Sequence, residues 1–403
     1  MNIIFLTMSR ITDITQRGVY TDLMRKFHKE GHSVFIVYPN ERSLGRSTEL
    51  FEQEGVHILG VKSLNLQKTS KIEKGVGQVL LERQYKKAIR SYYKDISFDL
   101  IIYSTPPITF SKVIKYLKRR NPSALTYLLL KDIFPQNAVD IGMMSKTGLK
   151  GLLYNHFRKQ EEELYKVSDY IGCMSPANVR YVIENNPKVN PNKVELAPNS
   201  YDCSDSPFLT EEDKKAIRMK YNIPTNCTVF IYGGNLGKPQ GIPFLIQCLE
   251  VNANRKDCHF VIVGDGTEYA DIEAWYKTKM PNNTSLFQRL PKEEYERLVL
   301  ACDIGLIFLD YRFTIPNYPS RLLSYLMEKK PIIAATDPNS DMGTIAEQNG
   351  YGYWCSSNDV NGFTQCVDKM IQSDFTQMGE NGYHYYLNNY TVDHTYRAIM
   401  KHF

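Results

Sequence analysis

An apolar run that ends on glycine and passes straight into a helix leaves backbone N–H groups free to bind a phosphate. The chain has this arrangement at Thr228–Gly241, TVFIYGGNLGKPQG. There Val229–Tyr232 ends on Gly233-Gly234-Asn235 and continues through Gly237 and Gly241 into a helix-like Ile242–Glu250. Roughly 30 residues on, the scale of a βαβ unit, a second apolar run, Phe260–Val263, ends on Gly264-Asp265-Gly266. Both turns then lie at the carboxyl ends of parallel strands, where open α/β sheets bind their ligands. The chemistry implied is recognition of a nucleotide-type phosphate.

Three ligand classes compete for these turns. A dinucleotide site needs GxGxxG at the first βα turn and an acid about 20 residues later. Neither turn supplies that register, and the first apolar run ends in Thr7-Met8-Ser9-Arg10 without glycine. A P-loop, GxxxxGK[ST], is absent. A sugar nucleotide fits better, since it asks for backbone donors and a cation for the diphosphate, a pocket for the base and groups for sugar hydroxyls. On the other half of the chain, Lys131-Asp132-Ile133-Phe134-Pro135 follows an apolar strand and places Asp132 at a carboxyl end. An acid there orders a sugar hydroxyl or holds an acceptor hydroxyl as its proton leaves; alternatively it caps a helix. Glu161, Glu162 and Glu163 read as a solvated helix face, and none of the eight histidines stands in a catalytic motif.

These residues need a scaffold of alternating strands and helices. In residues 1–200 the strand candidates are Asn2–Thr7, Ser33–Val37, His57–Gly60, Leu100–Tyr103, Ala124–Leu130, Tyr170–Met174 and Val194–Leu196. The second half repeats the alternation, with strands Val229–Tyr232, Phe260–Val263, Thr284–Gln288, Ile304–Phe308 and Pro331–Ala335. The fold expected is α/β, with two Rossmann-like doubly wound parallel-sheet domains facing a cleft. The boundary falls in the Pro-, Asn-, Ser- and Asp-rich Ala197–Pro207, giving domains 1–200 and 201–382. A tail, 383–403, opens with Tyr383, Tyr385, Tyr386 and Tyr390 and ends in a short helix. It either packs as an aromatic helix on the core or crosses back to the first domain.

Composition narrows the class further. The 403 residues, 42% apolar and 23% charged, suit a soluble globular protein of two or three domains. No apolar run reaches a membrane span, and the eight scattered cysteines suit reduced thiols. The net charge of +5 is unevenly divided: residues 1–200 hold 30 Lys+Arg against 19 Asp+Glu, whereas 201–403 hold 19 against 25. Basic residues of the first half recur at helical spacing, in Lys62, Lys68, Lys71, Lys74, then Lys86, Lys87, Arg90, Lys94, then Lys112, Lys115, Lys118, Arg119, Arg120. They form either solvated helix faces or a surface for an anionic membrane or a phosphorylated partner. No nucleic-acid-binding motif accompanies them.

Taken in order, GGNLGKPQG (233–241), FVIVGDG (260–266), FQRLPKEEYERLVLACDIGLIFL (287–309) and YPSRLLSYLMEKKPIIA (318–334) resemble the family-4 glycosyltransferases of the GT-B fold. STPPITF (104–110), LLLKDIFPQNAVDIGMM (128–144), FRKQEEELYKVSDYIGCMSPAN (157–178) and LAPNSYD (196–202) extend the resemblance over nearly the whole chain. The branch resembled builds bacterial O-antigen and capsule repeat units, N-acetylfucosamine transferases included. The chain departs from the common pattern at four positions. Asn235 and Gln240 stand where a cation is usual, and Pro316 and Ser324 stand where two glutamates are usual.

The resemblance implies a donor site of Gly233, Gly234, Asn235, Gly264, Asp265, Gly266, Ser320 and Ser324, with the backbone of Arg289-Leu290 meeting the base. Arg321 and Lys238 supply the diphosphate with charge, Asp132 serves catalysis, and Arg17 and Gly18 lie on the acceptor side. It further implies metal-independent, retaining transfer with no cofactor, from a nucleotide-sugar donor, UDP-linked by expectation. The implied acceptor is a polyprenyl-diphosphate saccharide on the cytoplasmic membrane face, where the basic first domain docks through the apolar-basic Leu149–Arg158. The competing readings are another GT-B activity, such as an epimerase or phosphorylase, and a non-catalytic nucleotide-sugar-binding partner of a polysaccharide assembly complex.

Overall fold

A computed structural model describes residues 1–66, 71–203 and 209–403. Lys68 of the basic series and positions 204–207 of the expected boundary lie outside the described residues. Contacts divide the chain into two compact units, Met1–Asp202 with Thr391–Phe403, and Cys203–Tyr390.

In the first unit the strands are β1 (Asn2–Leu6), β2 (Ser33–Glu41), β3 (Glu49–Gln53), β4 (Val56–Ser63), β5 (Leu100–Ser104), β6 (Leu125–Leu130), β7 (Tyr170–Cys173) and β8 (Val194–Leu196). Between them run α1 (Val19–Lys29), α2 (Lys71–Tyr92), α3 (Ser111–Arg120), α4 (Gln136–Asp140), α5 (Gly148–Val167) and α6 (Pro176–Asn185). The sheet order is β3-β4-β2-β1-β5-β6-β7-β8, parallel except where β3 pairs antiparallel with β4. Strands β1 and β5 are buried on both faces, as continuous apolar runs under two helix layers must be. Helix α1 shows how a helix is fixed on such a sheet. Leu23, Met24 and Phe27 are buried, while Lys26, His28 and Lys29 face the negative end of its dipole.

The sequence reading omits the edge strand β3. ELFEQ alternates half-buried and exposed residues, but its two glutamates and its hairpin through Glu54-Gly55 read as a turn. Glu161 also differs from the solvated face expected. It lies on the packed side of α5, buried, where it pairs with Arg158 and accepts from Tyr165 Oη at 2.7 Å.

The second unit contains α7 (Glu211–Lys220), β9 (Thr228–Asn235), α8 (Ile242–Val251), β10 (Cys258–Asp265), α9 (Tyr269–Lys279), β11 (Thr284–Phe287) and α10 (Lys292–Ala301). It continues with β12 (Ile304–Phe308), α11 (Arg321–Met327), β13 (Ile332–Thr336), α12 (Met342–Gln348), β14 (Gly352–Ser356), α13 (Val360–Ile371) and α14 (Phe375–Asn389). Its sheet is parallel throughout, in the order β11-β10-β9-β12-β13-β14. The final helix, α15 (Val392–Met400), belongs to the first unit.

The first division falls inside the stretch 197–207, two residues past 200, and the second lies later than 383. The first lies after Asp202, because Asp202 N–H donates to buried Asp22 at 2.8 Å and Ser200 Oγ sits 2.9 Å from Thr395 Oγ1. The return begins at Thr391 instead of 383. Tyr386 and Tyr390 are buried in the second unit, Tyr390 against the Tyr318 hydroxyl, so the tyrosine-rich stretch completes α14 there.

Candidate active site

In the second unit, β9 to β10 to β11 steps one way across the sheet and β12 to β13 to β14 the other. The order therefore reverses between β9 and β12, the place where such sheets leave a crevice for a ligand. Gly233-Gly234-Asn235 form the carboxyl end of β9 at that point, and Asp310, just past β12, is held to the turn by its N–H donating to Pro239 O at 3.0 Å. Arg312 grips the Asp310 carboxylate with two bonds of 2.9 and 2.7 Å.

The two glycine turns nest backbone to backbone. Gly234 stands in register with Gly264, and Asn235 with Asp265. A Cβ on Gly264 would fall 2.0 Å from Gly234 O, and one on Gly266 would fall 2.2 Å from Leu236 O. Only glycine permits that approach. Asn235 and Asp265 are exposed at the strand tips, and Asn235 Nδ2 donates to Gln240 at 2.7 Å. Lys238, exposed, opens a short 3-10 turn (Lys238–Gln240) and faces Glu268, whose pKa is raised chiefly by burial.

Arg321 comes to the same place from the start of α11. Its guanidinium carbon lies 4.4 Å from the centre of the Tyr232 ring, a cation–π stack. Its Nη2 lies 3.2 Å from where a Cβ on Gly234 would be. Nη1 is sealed from solvent and has no hydrogen-bond partner among the described residues. Tyr232 is fixed by donating to Asn235 O at 2.7 Å, and Tyr325 by donating to Ile231 O at 3.1 Å. Tyr295 packs so closely that a Cβ on Gly233 would lie 1.9 Å from its hydroxyl oxygen. Burial pushes the Tyr295 hydroxyl up to about 12, so it stays neutral and hydrogen-bonding. A guanidinium with unused donors beside a glycine turn is a ready seat for an anion, because a buried donor without a partner is costly until one arrives.

Ser320 precedes α11 and makes no side-chain cap, while Ser324 lies within it, partly buried. Arg289 (exposed) and Leu290 follow β11, two strands from β9. Strand spacing puts them about 10 Å to the side, the reach of a nucleoside from its phosphates.

In the first unit the strand order reverses between β1 and β5. Ser104 Oγ there donates to Thr7 Oγ1 at 3.3 Å. Thr105 Oγ1 accepts from the backbone N–H groups of Lys131 at 3.0 Å and Asp132 at 3.1 Å, clamping the end of β6. Asp132 Oδ1 accepts from Asn137 Nδ2 at 2.6 Å, so it is not a simple helix cap. Burial raises its carboxyl to about 6, with Glu161 adding to the shift. Burial likewise lowers Lys131 to about 7, its Nζ donating to Ala197 O at 3.1 Å. Tyr20 feels the Asp132 charge, but its hydroxyl is raised to about 12 mainly by burial. Gly18 caps α1 and donates its N–H to Asp22 at 2.9 Å, and Arg17 lies over the Tyr201 ring at 5.9 Å.

The structure thus groups Gly233, Gly234, Asn235, Gly264, Asp265, Gly266 and Arg321 around one strand tip, and leaves Arg289 and Leu290 to one side. Sequence reading missed Tyr232, Tyr295, Tyr325 and Lys131. Tyr232 is the last residue before the glycines and Tyr325 stands four after Arg321 on one helix face, so both were signalled. Tyr295 meets Gly233 only through the packing of α10, which no local pattern announces.

Residues 213–385 match the family model for glycosyl transferases group 1. Among curated proteins, the chain is 25% identical over 255 residues to the "Probable glycosyltransferase WbjE" of Pseudomonas aeruginosa, covering 62% of this chain and 61% of that protein. The chain thus spans about three fifths of that relative's length. Among solved structures, a sucrose-phosphate synthase from Thermosynechococcus elongatus superposes with a TM-score of 0.77 at 13% identity, covering 100% of this chain and 98% of its own. HepE from Anabaena, solved in complex with UDP, gives 0.66 at 15% identity over 100% and 99%. At such identities the likeness establishes the fold, GT-B, with its two parallel-sheet α/β units.

Proposed function

With a group 1 glycosyl transferase domain in its second half as the premise, we propose that the protein transfers a sugar from a nucleotide-sugar donor to a lipid-linked saccharide during synthesis of a bacterial cell-surface polysaccharide. The observation that carries this reading is Arg321, stacked on Tyr232 beside Gly234 with a sealed, unpartnered Nη1. It supplies at this chain's own turn the charge that Asn235 and Gln240 do not.

In the proposed reaction the bond between the anomeric carbon and the donor phosphate oxygen breaks, and its electron pair stays with the diphosphate. Arg321, Lys238 and the turn's N–H groups stabilise that charge. The acceptor hydroxyl oxygen bonds to the anomeric carbon with retention, and its proton passes to the departing phosphate oxygen, with no metal ion taking part. Asp132 in the first unit holds a hydroxyl of the sugar or the acceptor. UDP is the favoured carrier, given the UDP-bound HepE neighbour. The acceptor places the protein at the inner face of the plasma membrane.

A thermal-shift screen of UDP-, GDP- and dTDP-sugars tests the reading, since a ligand that binds only the native state raises its stability with affinity. One donor is expected to raise the melting temperature of the wild type and to leave Arg321→Ala unshifted. A screen with no responding donor, or an equal shift in both proteins, overturns it.

A further inference from the structure

Three exposed leucines lie together at the start of one helix, α5. Leu149 is 88% exposed, Leu152 69% and Leu153 49%, and Met143, in the preceding turn, is 57% exposed. Within α5 the positions 149, 152, 153 and 156 follow the i, i+3, i+4, i+7 spacing of a single face. Of the buried residues of the helix, Gly151, Glu161 and Tyr165 occupy the other side, and Leu164 is buried about three turns further along. A soluble surface scatters its exposed leucines singly; here three share a stripe at the beginning of a helix.

Charge identifies what the stripe meets. Residues 141–160 contain Lys146, Lys150, Arg158 and Lys159 and not one aspartate or glutamate. Lys146 and Lys150 are exposed beside the leucines. Further along the helix the charge is mixed, since Glu162 and Glu163 join Lys159, Lys166 and Lys188 around a recess of about 640 Å3, so the uncompensated cations are those beside the leucines. The basic residues of α3 are less available. Lys115 pairs with Glu163, Lys118 with Asp169, and Arg120 donates to the carbonyls of Tyr93 and Lys94. A second copy of the chain would set this cationic patch against itself, and three leucines fall short of the area a stable protein interface buries. An apolar stripe flanked by lysines matches instead the boundary between anionic headgroups and acyl chains. Among the described residues no helix is long and apolar enough to cross a membrane, so the contact is one of lying on the surface.

We propose that α5 is a membrane-seating element. Leu149, Leu152 and Leu153 enter the acyl boundary of an anionic bilayer, and Lys146 and Lys150 engage its headgroups. The inference shares with the proposed function only the lipid-linked acceptor, and its test requires no turnover.

The experiment is flotation of the full chain with vesicles of phosphatidylcholine containing about a third phosphatidylglycerol, a composition that gives a strongly anionic surface. The wild type is expected to float with these vesicles, to ignore pure phosphatidylcholine, and to be released as salt shortens the Debye length. Leu149→Ser/Leu152→Ser and Lys146→Gln/Lys150→Gln are each expected to lower the partition coefficient at least tenfold. Both pairs are surface changes, so the melting temperature and its donor-induced shift stay as in the wild type. Failure of the wild type to float, undiminished binding by either pair, or self-association through the stripe in sedimentation would overturn the proposal. Flotation without any donor response would leave it standing while the transfer reading falls.

Discussion

Arg321 and Asp132 present opposite problems for a folded protein. Arg321 keeps its charge in a site that leaves a donor unpaired, whereas Asp132 is placed where burial opposes its charge. Replacing Arg321 with alanine is expected to weaken nucleoside diphosphate binding by about 1.5–3 kcal/mol, the scale of a charged hydrogen bond. Lysine would recover only part of this, since it lacks the planar fork that stacks on Tyr232; calorimetric titration of the two variants checks both. Asp132 titrates near 6 in the fold. If its carboxylate holds a reacting hydroxyl, kcat/KM rises through about pH 6 to a plateau, and Asp132→Asn is slow and loses that rise while still binding donor. For stability the sign is fixed by the direction of the shift. A carboxyl raised from 3.8 to about 6 binds its proton more tightly folded than unfolded. The cost of ionising it is absent below pH 4, grows between 4 and 6, and is fully present above 6. Denaturation of the Asn variant is therefore expected to gain on the wild type over that interval and to level off beyond it.

At the scale of elements, the nested turns of β9 and β10 carry the tightest constraint. The atom that a Cβ on Gly264 would strike is a backbone oxygen of the neighbouring strand, which no side-chain rearrangement can relieve. Gly264→Ala is expected to cost about 3 kcal/mol, the upper part of the range for overpacking, measured as a lowered urea midpoint with unchanged slope. The glycines were legible in the sequence because their turns end apolar runs. The elements after β13 were not. GYWCS of β14 is only partly buried, and Gly350-Tyr351-Gly352, which leads into it, reads as a turn. Helix α13 left a clear trace that went unread, with Asp359 as N-cap and Phe363, Cys366, Val367 and Met370 on one face. Asp132 was legible by position alone. Its raised pKa, and the lowered pKa of its neighbour Lys131, arise from burial among residues distant in sequence.

At the scale of the molecule, the chain leaves the first unit at Asp202, builds the second, and returns at Thr391 to finish the first. Helix α15 is a structural part of that unit. Val392 and Ile399 are buried in its core with Phe27 and Leu23, and Asp393 pairs with Lys26 and Lys401 with Glu195. Full burial of an aliphatic side chain is worth about 1.5–3 kcal/mol. Removing α15 thus withdraws about 3–6 kcal/mol from a unit whose total stability is on the order of 5–15 kcal/mol. The exposed ion pairs add little to this. The second unit keeps its own core of Phe230, Tyr232, Phe260, Phe308 and Phe363, none of them touched by the deletion. A chain ending at Tyr390 is therefore expected to show two calorimetric transitions, the lower one assigned to residues 1–202. Nucleoside diphosphate should shift the upper transition and not the lower. A single transition that moves as one with ligand would mean that the two units unfold together, and that α15 acts on more than the core it completes.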